Sequence, residues 1–361
     1  MWAIPPTKKH SWEADITKEL FISGYASENG IQRCVFHREE KTITCTAAAS
    51  EVLNPSYIAR SADGANLYAV SETLEGGFVH AYDVSKKGEL RHLNALATSG
   101  GASCHVSVDP KKEFLVVSNY MSGVVDLFRL SGEDGSIVEK TFSHQHVGTG
   151  PNQERQEGPH AHFGLFSPDG TCCYAVDLGN DTVYVYTLDR EAGILCQSRA
   201  VQLPAGCGPR HLALHPQRNV IFYVTCELSL QIYTVRLEGE NVRISAPISC
   251  VPGDYSVTAG AAAIKVSPDG CYLYASTRVY AAEKGTDCVA CCAITPDGSL
   301  RLAGYAEVPG SQPRDLSVSD EHLFFTCQNS NAVVILKRDG ATGLPAGLEG
   351  TYAFPAPSCI A

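Results

Sequence analysis

Short apolar runs alternate with compact polar turns along the chain, and the alternation recurs. Its clearest copies are Phe166-Ser167-Pro168-Asp169-Gly170 before Tyr174-Ala175-Val176-Asp177, and Val266-Ser267-Pro268-Asp269-Gly270 before Leu273-Tyr274-Ala275-Ser276-Thr277. Weaker copies are Ser61-Ala62-Asp63-Gly64 before Leu67-Tyr68-Ala69-Val70-Ser71, and Val108-Asp109-Pro110 before Phe114-Leu115-Val116-Val117-Ser118-Asn119. Each apolar run has strand length, and Pro-Asp-Gly suits a tight turn because Pro presets φ and Gly accepts positive φ.

The residue ending each second strand gives a landmark: Gly24, Ser71, Asn119, Asp177, Cys226, Thr277 and Cys327, spaced by 47, 48, 58, 49, 51 and 50 residues. Seven units near fifty residues, each of about four short antiparallel strands, predict an all-β, seven-bladed β-propeller. Length alone favours two domains, but the period replaces them with one ring over residues 19–361 behind an N-terminal extension, 1–18. Innermost strands are expected to begin at Pro55-Ser56-Tyr57, Ser103-Cys104-His105, His160-Ala161-His162, Pro209-Arg210-His211, Ala261-Ala262-Ala263 and Pro313-Arg314-Asp315. A seventh copy, Pro357-Ser358-Cys359-Ile360, stands at the C-terminus, while the first unit lacks one. The C-terminal strand is therefore expected to complete the first blade and cover its edge.

Composition narrows the function. The formal charge is −11, with no basic stripe, which argues against nucleic-acid binding. No apolar run approaches the ~20 residues of a membrane span, and Met1 to His10 has no secretory apolar region. The expectation is a soluble cytoplasmic protein, a monomer or weak homo-oligomer. Fifteen cysteines, an odd number, argue against a disulfide framework. Cys288, Cys291 and Cys292 contain a C-x-x-C spacing, but no second ligand pair follows, so they read as strand filler.

The inner strands and their entry loops carry the candidate chemistry: Ser56, His105, His160 with His162, Arg210 with His211, and Arg314 with Asp315. Alternation along a strand predicts that His160 and His162 face together. Glu227 and Arg278 lie just beyond landmark residues, where a rigid scaffold presents functional groups. The third repeat is longer by about nine residues, in the polar stretch Ser143 to Pro159 that contains Arg155, a length expected of a binding loop or lid. Several Arg and His with one Glu suit a small anion, since each Arg-to-anion hydrogen bond contributes ~1.5–3 kcal/mol. No G-x-S-x-G, Walker, G-x-G-x-x-G or H-E-x-x-H motif is present.

The run Gly148 to His162, with Phe166-Ser167-Pro168-Asp169-Gly170, resembles the hallmark of the propeller-type 6-phosphogluconolactonases. Gly208-Pro209-Arg210-His211, Glu227-Leu228-Ser229, Ser118-Asn119-Tyr120 and Pro313-Arg314-Asp315 extend the resemblance, which covers residues from about 20 to 361. Thr277, Cys226 and Cys327 depart from asparagines frequent in that family. The resemblance implies hydrolysis of 6-phospho-D-glucono-1,5-lactone to 6-phosphogluconate in the oxidative pentose phosphate pathway, without metal or other cofactor. Glu227 or His160 would activate water with His162 as partner or acid, Arg210 and Arg278 would polarise the carbonyl, and Arg155 and Arg314 would hold the phosphate of this small sugar lactone. Two alternatives stand beside it: a 3-carboxy-cis,cis-muconate cyclase-like, lactone-forming enzyme, and a non-catalytic binding propeller.

Overall fold

The structure is a computed structural model describing residues 17–25, 30–253, 255, 257–280 and 287–361, so most of the expected N-terminal extension lies outside the described residues. Seven antiparallel sheets surround a central channel. Blade 1 joins Thr17–Gly24, Ile31–His37 and Thr42–Ala49 to the C-terminal Pro357–Ile360. The inner strands of blades 2 to 7 are Ile58–Arg60, Ser103–Val108, Ala161–Phe166, Pro209–His215, Ala259–Val266 and Pro313–Val318. Every blade has four strands, and blade 5 adds the short Ile248–Ser249.

Burial explains the period. Second strands such as Asn66–Ser71, Phe114–Asn119 and His322–Cys327 are buried at every position, because each is packed between neighbouring blades. Such strands read as continuous apolar runs rather than alternating ones. Outer strands such as Ile137–Gln145 are largely open to solvent. The repeated turn also has its expected chemistry: Ser267 Oγ donates to Asp269 at 2.5 Å, and the Gly270 N–H donates to the Ser267 carbonyl at 2.8 Å with Gly270 at φ 71°. Cys291 and Cys292 are fully buried strand residues, and Cys288 is nearly so.

Ring closure pairs Ile22 with Ile360 and Ser23 with Cys359. Phe21 and Ala361 exchange backbone hydrogen bonds of 2.8 and 2.9 Å. Gly24 is needed here, since a Cβ would stand 2.3 Å from the Ala356 carbonyl oxygen.

One recurring irregularity places the site. In blades 3, 4, 5 and 7 the inner strand skips one residue in its pairing, between Ser103 and His105, Ala161 and Phe163, Pro209 and His211, and Pro313 and Asp315. A bulge re-aims a side chain that strict alternation would send elsewhere. The skipped residues are Cys104, His162, Arg210 and Arg314, and all four line the same cavity. The bulge also corrects the expected pairing of His160 with His162. Blade 4 begins one residue later than the sequence suggests, so His162 matches Arg210 while His160 precedes the strand.

Candidate active site

The cavity at the narrow end of the channel measures about 180 Å³. Its second set of residues follows the landmark positions: Glu72, Tyr120 and Glu227 come just after their second strands, and Arg278 lies near the end of Tyr272–Val279. Arg155 reaches in from the loop between blades 3 and 4. Six of the expected site residues, Arg155, His162, Arg210, Glu227, Arg278 and Arg314, therefore meet, although they are far apart in sequence.

Glu227 forms the hub. Its Oε1 accepts hydrogen bonds from Arg155 Nη2 at 2.8 Å and Tyr280 Oη at 2.9 Å. Its Oε2 accepts one from Arg278 Nη2 at 2.9 Å and lies 3.0 Å from Arg210 Nε. Burial pushes this carboxyl up, but Arg278, Arg210 and Arg155 together outweigh burial and hold it well below the usual carboxylate range. A carboxylate so strongly stabilised as an anion is a poor proton acceptor. It is the shared counter-ion of three guanidinium groups. Arg210 is itself buried, and burial together with the nearby Arg278 charge lowers it to about 10.

His160 is not part of the cavity lining. Its ring stacks on Tyr120 with centroids 4.4 Å apart, and its nitrogens are engaged by the Tyr120 carbonyl at 3.0 Å and Glu157 Oε1 at 3.1 Å. Its backbone N–H donates to Asp177 Oδ1 at 2.8 Å. His160 thus braces the mouth, with neither nitrogen available to activate water. His162 differs: it is buried, lines the cavity, and its Nδ1 has no hydrogen-bond partner among the described residues. Burial, with Arg210 and Arg314 nearby, lowers its pKa well below that of ordinary histidine, so the imidazole is neutral at pH 7.

Arg314 makes no ion pair among the described residues. Its guanidinium lies 5.1 Å from the Tyr25 ring centroid, and Tyr25 Oη donates to Glu72 at 2.9 Å. Below the mouth, Tyr57, His105, Phe163 and His211 close the channel, with Tyr57–His105 and His105–Phe163 centroids 4.1 and 3.9 Å apart. Arg210 Nη1 donates to His211 Nε2 at 3.0 Å, which puts the His211 proton on Nδ1 because guanidinium cannot accept. A wider funnel of about 450 Å³, lined by the later residues of the inner strands, lies beyond this plug. Its walls are mainly apolar, so the concentrated charge belongs to the narrow end.

Comparison with known proteins agrees with the propeller fold. The family described as "Lactonase, 7-bladed beta-propeller" matches residues 19–361. The chain belongs to that lactonase family. A relative named 6-phosphogluconolactonase, from Bacillus subtilis (strain 168), is 33% identical over 92% of this chain and 93% of its own. Another of that name, from Formosa agariphila, is 27% identical over 90% of this chain and 93% of its own. The solved structure of a Pseudomonas aeruginosa periplasmic gluconolactonase superposes with a TM-score of 0.87, at 26% identity, covering 96% of this chain and 98% of that one.

In this lactonase propeller, sequence reasoning missed Glu72, Tyr120 and Tyr280. The first two occupy the same repeat position as Glu227 and Arg278, so the landmark spacing already contained the signal. Tyr280 had none. Its approach to Glu227 depends on Gly260, where a Cβ would lie 1.9 Å from Tyr280 Oη and 3.0 Å from Glu227 Cγ.

Proposed function

We propose that the chain hydrolyses 6-phospho-D-glucono-1,5-lactone to 6-phosphogluconate. The observation that carries this reading is the charge of the cavity. Four arginines face two carboxylates, and Arg314 forms no ion pair among the described residues. A phosphate monoester, with a charge of about −1.5 to −2 at pH 7, matches that surplus. The names of the relatives from Bacillus subtilis and Formosa agariphila support the same substrate.

The roles follow from the geometry. Arg314 and Arg155 take the phosphate, where a planar guanidinium can bind two oxygens at once. Arg210 and Arg278, both buried and held by Glu227, donate to the oxygen that becomes negative as water attacks the lactone carbonyl; such preorganised donors are worth about 10²–10³ each. Neutral His162 accepts the proton of the attacking water and returns it to the departing ring oxygen. Its low basicity suits a strained ester that already hydrolyses in water. Glu72 accepts hydrogen bonds from sugar hydroxyls. The cytoplasm is the setting we assign, a compartment that keeps free thiols such as the fifteen here reduced.

The deciding assay supplies lactone freshly made by glucose-6-phosphate dehydrogenase and follows acid release above the spontaneous rate. Catalysis with this substrate, and much less with unphosphorylated gluconolactone, supports the reading. Equal rates on both transfer the assignment to unphosphorylated lactones. Turnover of carboxymuconate alone moves it to the cyclase class.

A further inference from the structure

We infer that Gln156 and Asp181, neither of which lines the cavity, form a single strut that positions Arg155 and Arg210 together. The inference deepens the reading above and rests on the same site. Gln156 is fully buried in the loop between blades 3 and 4. Its Nε2 donates to the Leu178 carbonyl and to Asp181 Oδ1, both at 2.8 Å, and its Oε1 accepts from the Asn152 N–H at 3.2 Å. The side-chain amide is therefore held from both ends. The preceding residue, Arg155, extends to Glu227. Gly150 makes room for this amide, since a Cβ there would stand 2.3 Å from Gln156 Cδ.

Asp181 carries the load onward. It is 2% exposed, and its Oδ1 accepts a second hydrogen bond from the Gly208 N–H at 2.8 Å while Oδ2 accepts from the Gly206 N–H at 2.6 Å. Gly206 and Gly208 lie in the left-handed region, at φ 82° and 61°. The Gly208 carbonyl accepts the Glu227 N–H at 2.7 Å, and Arg210 follows two residues later. One carboxylate thus ties the loop of Arg155 to the turn that sets Arg210 and the backbone of Glu227. The contacts of Gln156 with Leu178 and Asp181, and of Asp181 with Gly208, are buried polar ones, so losing a partner there leaves another unsatisfied. A displacement of about 1 Å at a reacting group is enough to cost ~10²-fold in rate.

Two variants test the strut. Gln156→Leu removes both donors at similar size, and Asp181→Asn turns an NH₂ group toward backbone N–H donors. Each is expected to lower kcat/KM on the lactone by about 10–100-fold. In a double-mutant cycle, Gln156→Leu on an Arg155→Ala background should add less than about twofold, because Gln156 acts through the loop of Arg155 while Asp181 still holds the Gly206 and Gly208 turn before Arg210. Losses that multiply in full overturn the inference. Should Gln156→Leu fail to fold, Gln156→Glu replaces it: a second carboxylate then opposes Asp181, and activity should recover as pH falls. A pH profile parallel to the parent's overturns the strut. A crystal structure of the variant gives a readout independent of activity. Departure of Arg155 Nη2 from Glu227 supports the inference, and an unchanged contact overturns it. Absence of lactone hydrolysis in the parent chain would remove the functional reading while leaving this structural test intact.

Discussion

Glu227→Gln is the most informative single change, because it removes the charge that three arginines share. Arg210 and Arg278 are 2% and 5% exposed, so their charges cannot be compensated by water when the carboxylate is lost. Breaking a buried ion pair by removing one partner costs ~3–5 kcal/mol. For a chain of this length that corresponds to a melting temperature lower by roughly 4–7 °C. An added anion should restore part of it: inorganic phosphate at a hundred times its Kd contributes ~2.7 kcal/mol. The expected result is a thermal unfolding midpoint that drops in buffer and rises more in phosphate than the parent's does, with turnover down at least about a hundredfold. A pH series adds a sign. The Glu227 pKa is depressed in the folded chain, so its contribution is present above the unfolded value of about 4.3 and is lost as pH falls below it. The variant should therefore show a flatter acid limb. An unchanged midpoint, no extra phosphate response and near-normal turnover would refute Glu227 as the hub.

Further predictions separate the remaining roles. Arg314→Ala should raise KM for the phosphorylated lactone about 10–100-fold, from ~1.5–3 kcal/mol of charge-assisted hydrogen bonding, and barely change KM for gluconolactone, as steady-state kinetics on the two substrates will show. His162→Ala should lower kcat by ~10²–10⁴-fold, and the parent's kcat/KM should stay level well below pH 6.5, because burial lowers the His162 pKa. Burial likewise depresses His105 and His211, so calorimetry should find stability falling once pH drops below the unfolded histidine value of about 6.5. Gly260→Ala should push Tyr280 off Glu227 and lower kcat/KM with little change in the circular dichroism of the fold.

The propeller was legible because its signal is repeated. Six landmark residues are the last of their second strands, and the seventh, Thr277, lies within Tyr272–Val279. Those strands are buried on both faces, which makes the apolar runs long enough to recognise. Strand pairing at the mouth was harder to read. The bulges at Cys104, His162, Arg210 and Arg314 depend on how neighbouring strands pair, and a period-two pattern contains no mark for a skipped residue. That is why His160 was expected in the cavity. The basicity of Glu227 was equally hidden, since it depends on three guanidinium groups brought from 155, 210 and 278 by the fold.

Closing the ring with the last strand has a consequence for synthesis. Ser358 Oγ reaches the Ser23 carbonyl across 335 residues of sequence. Until Pro357 to Ile360 have been made, Phe21 to Gly24 must wait without their partner. The cup that gathers the arginines becomes secure only once that strand is in place, and bringing two such distant segments together makes a slow step. Removing Pro357 to Ala361 should therefore give a product that leaves the ribosome folded in parts yet sticks to itself through the edge of blade 1.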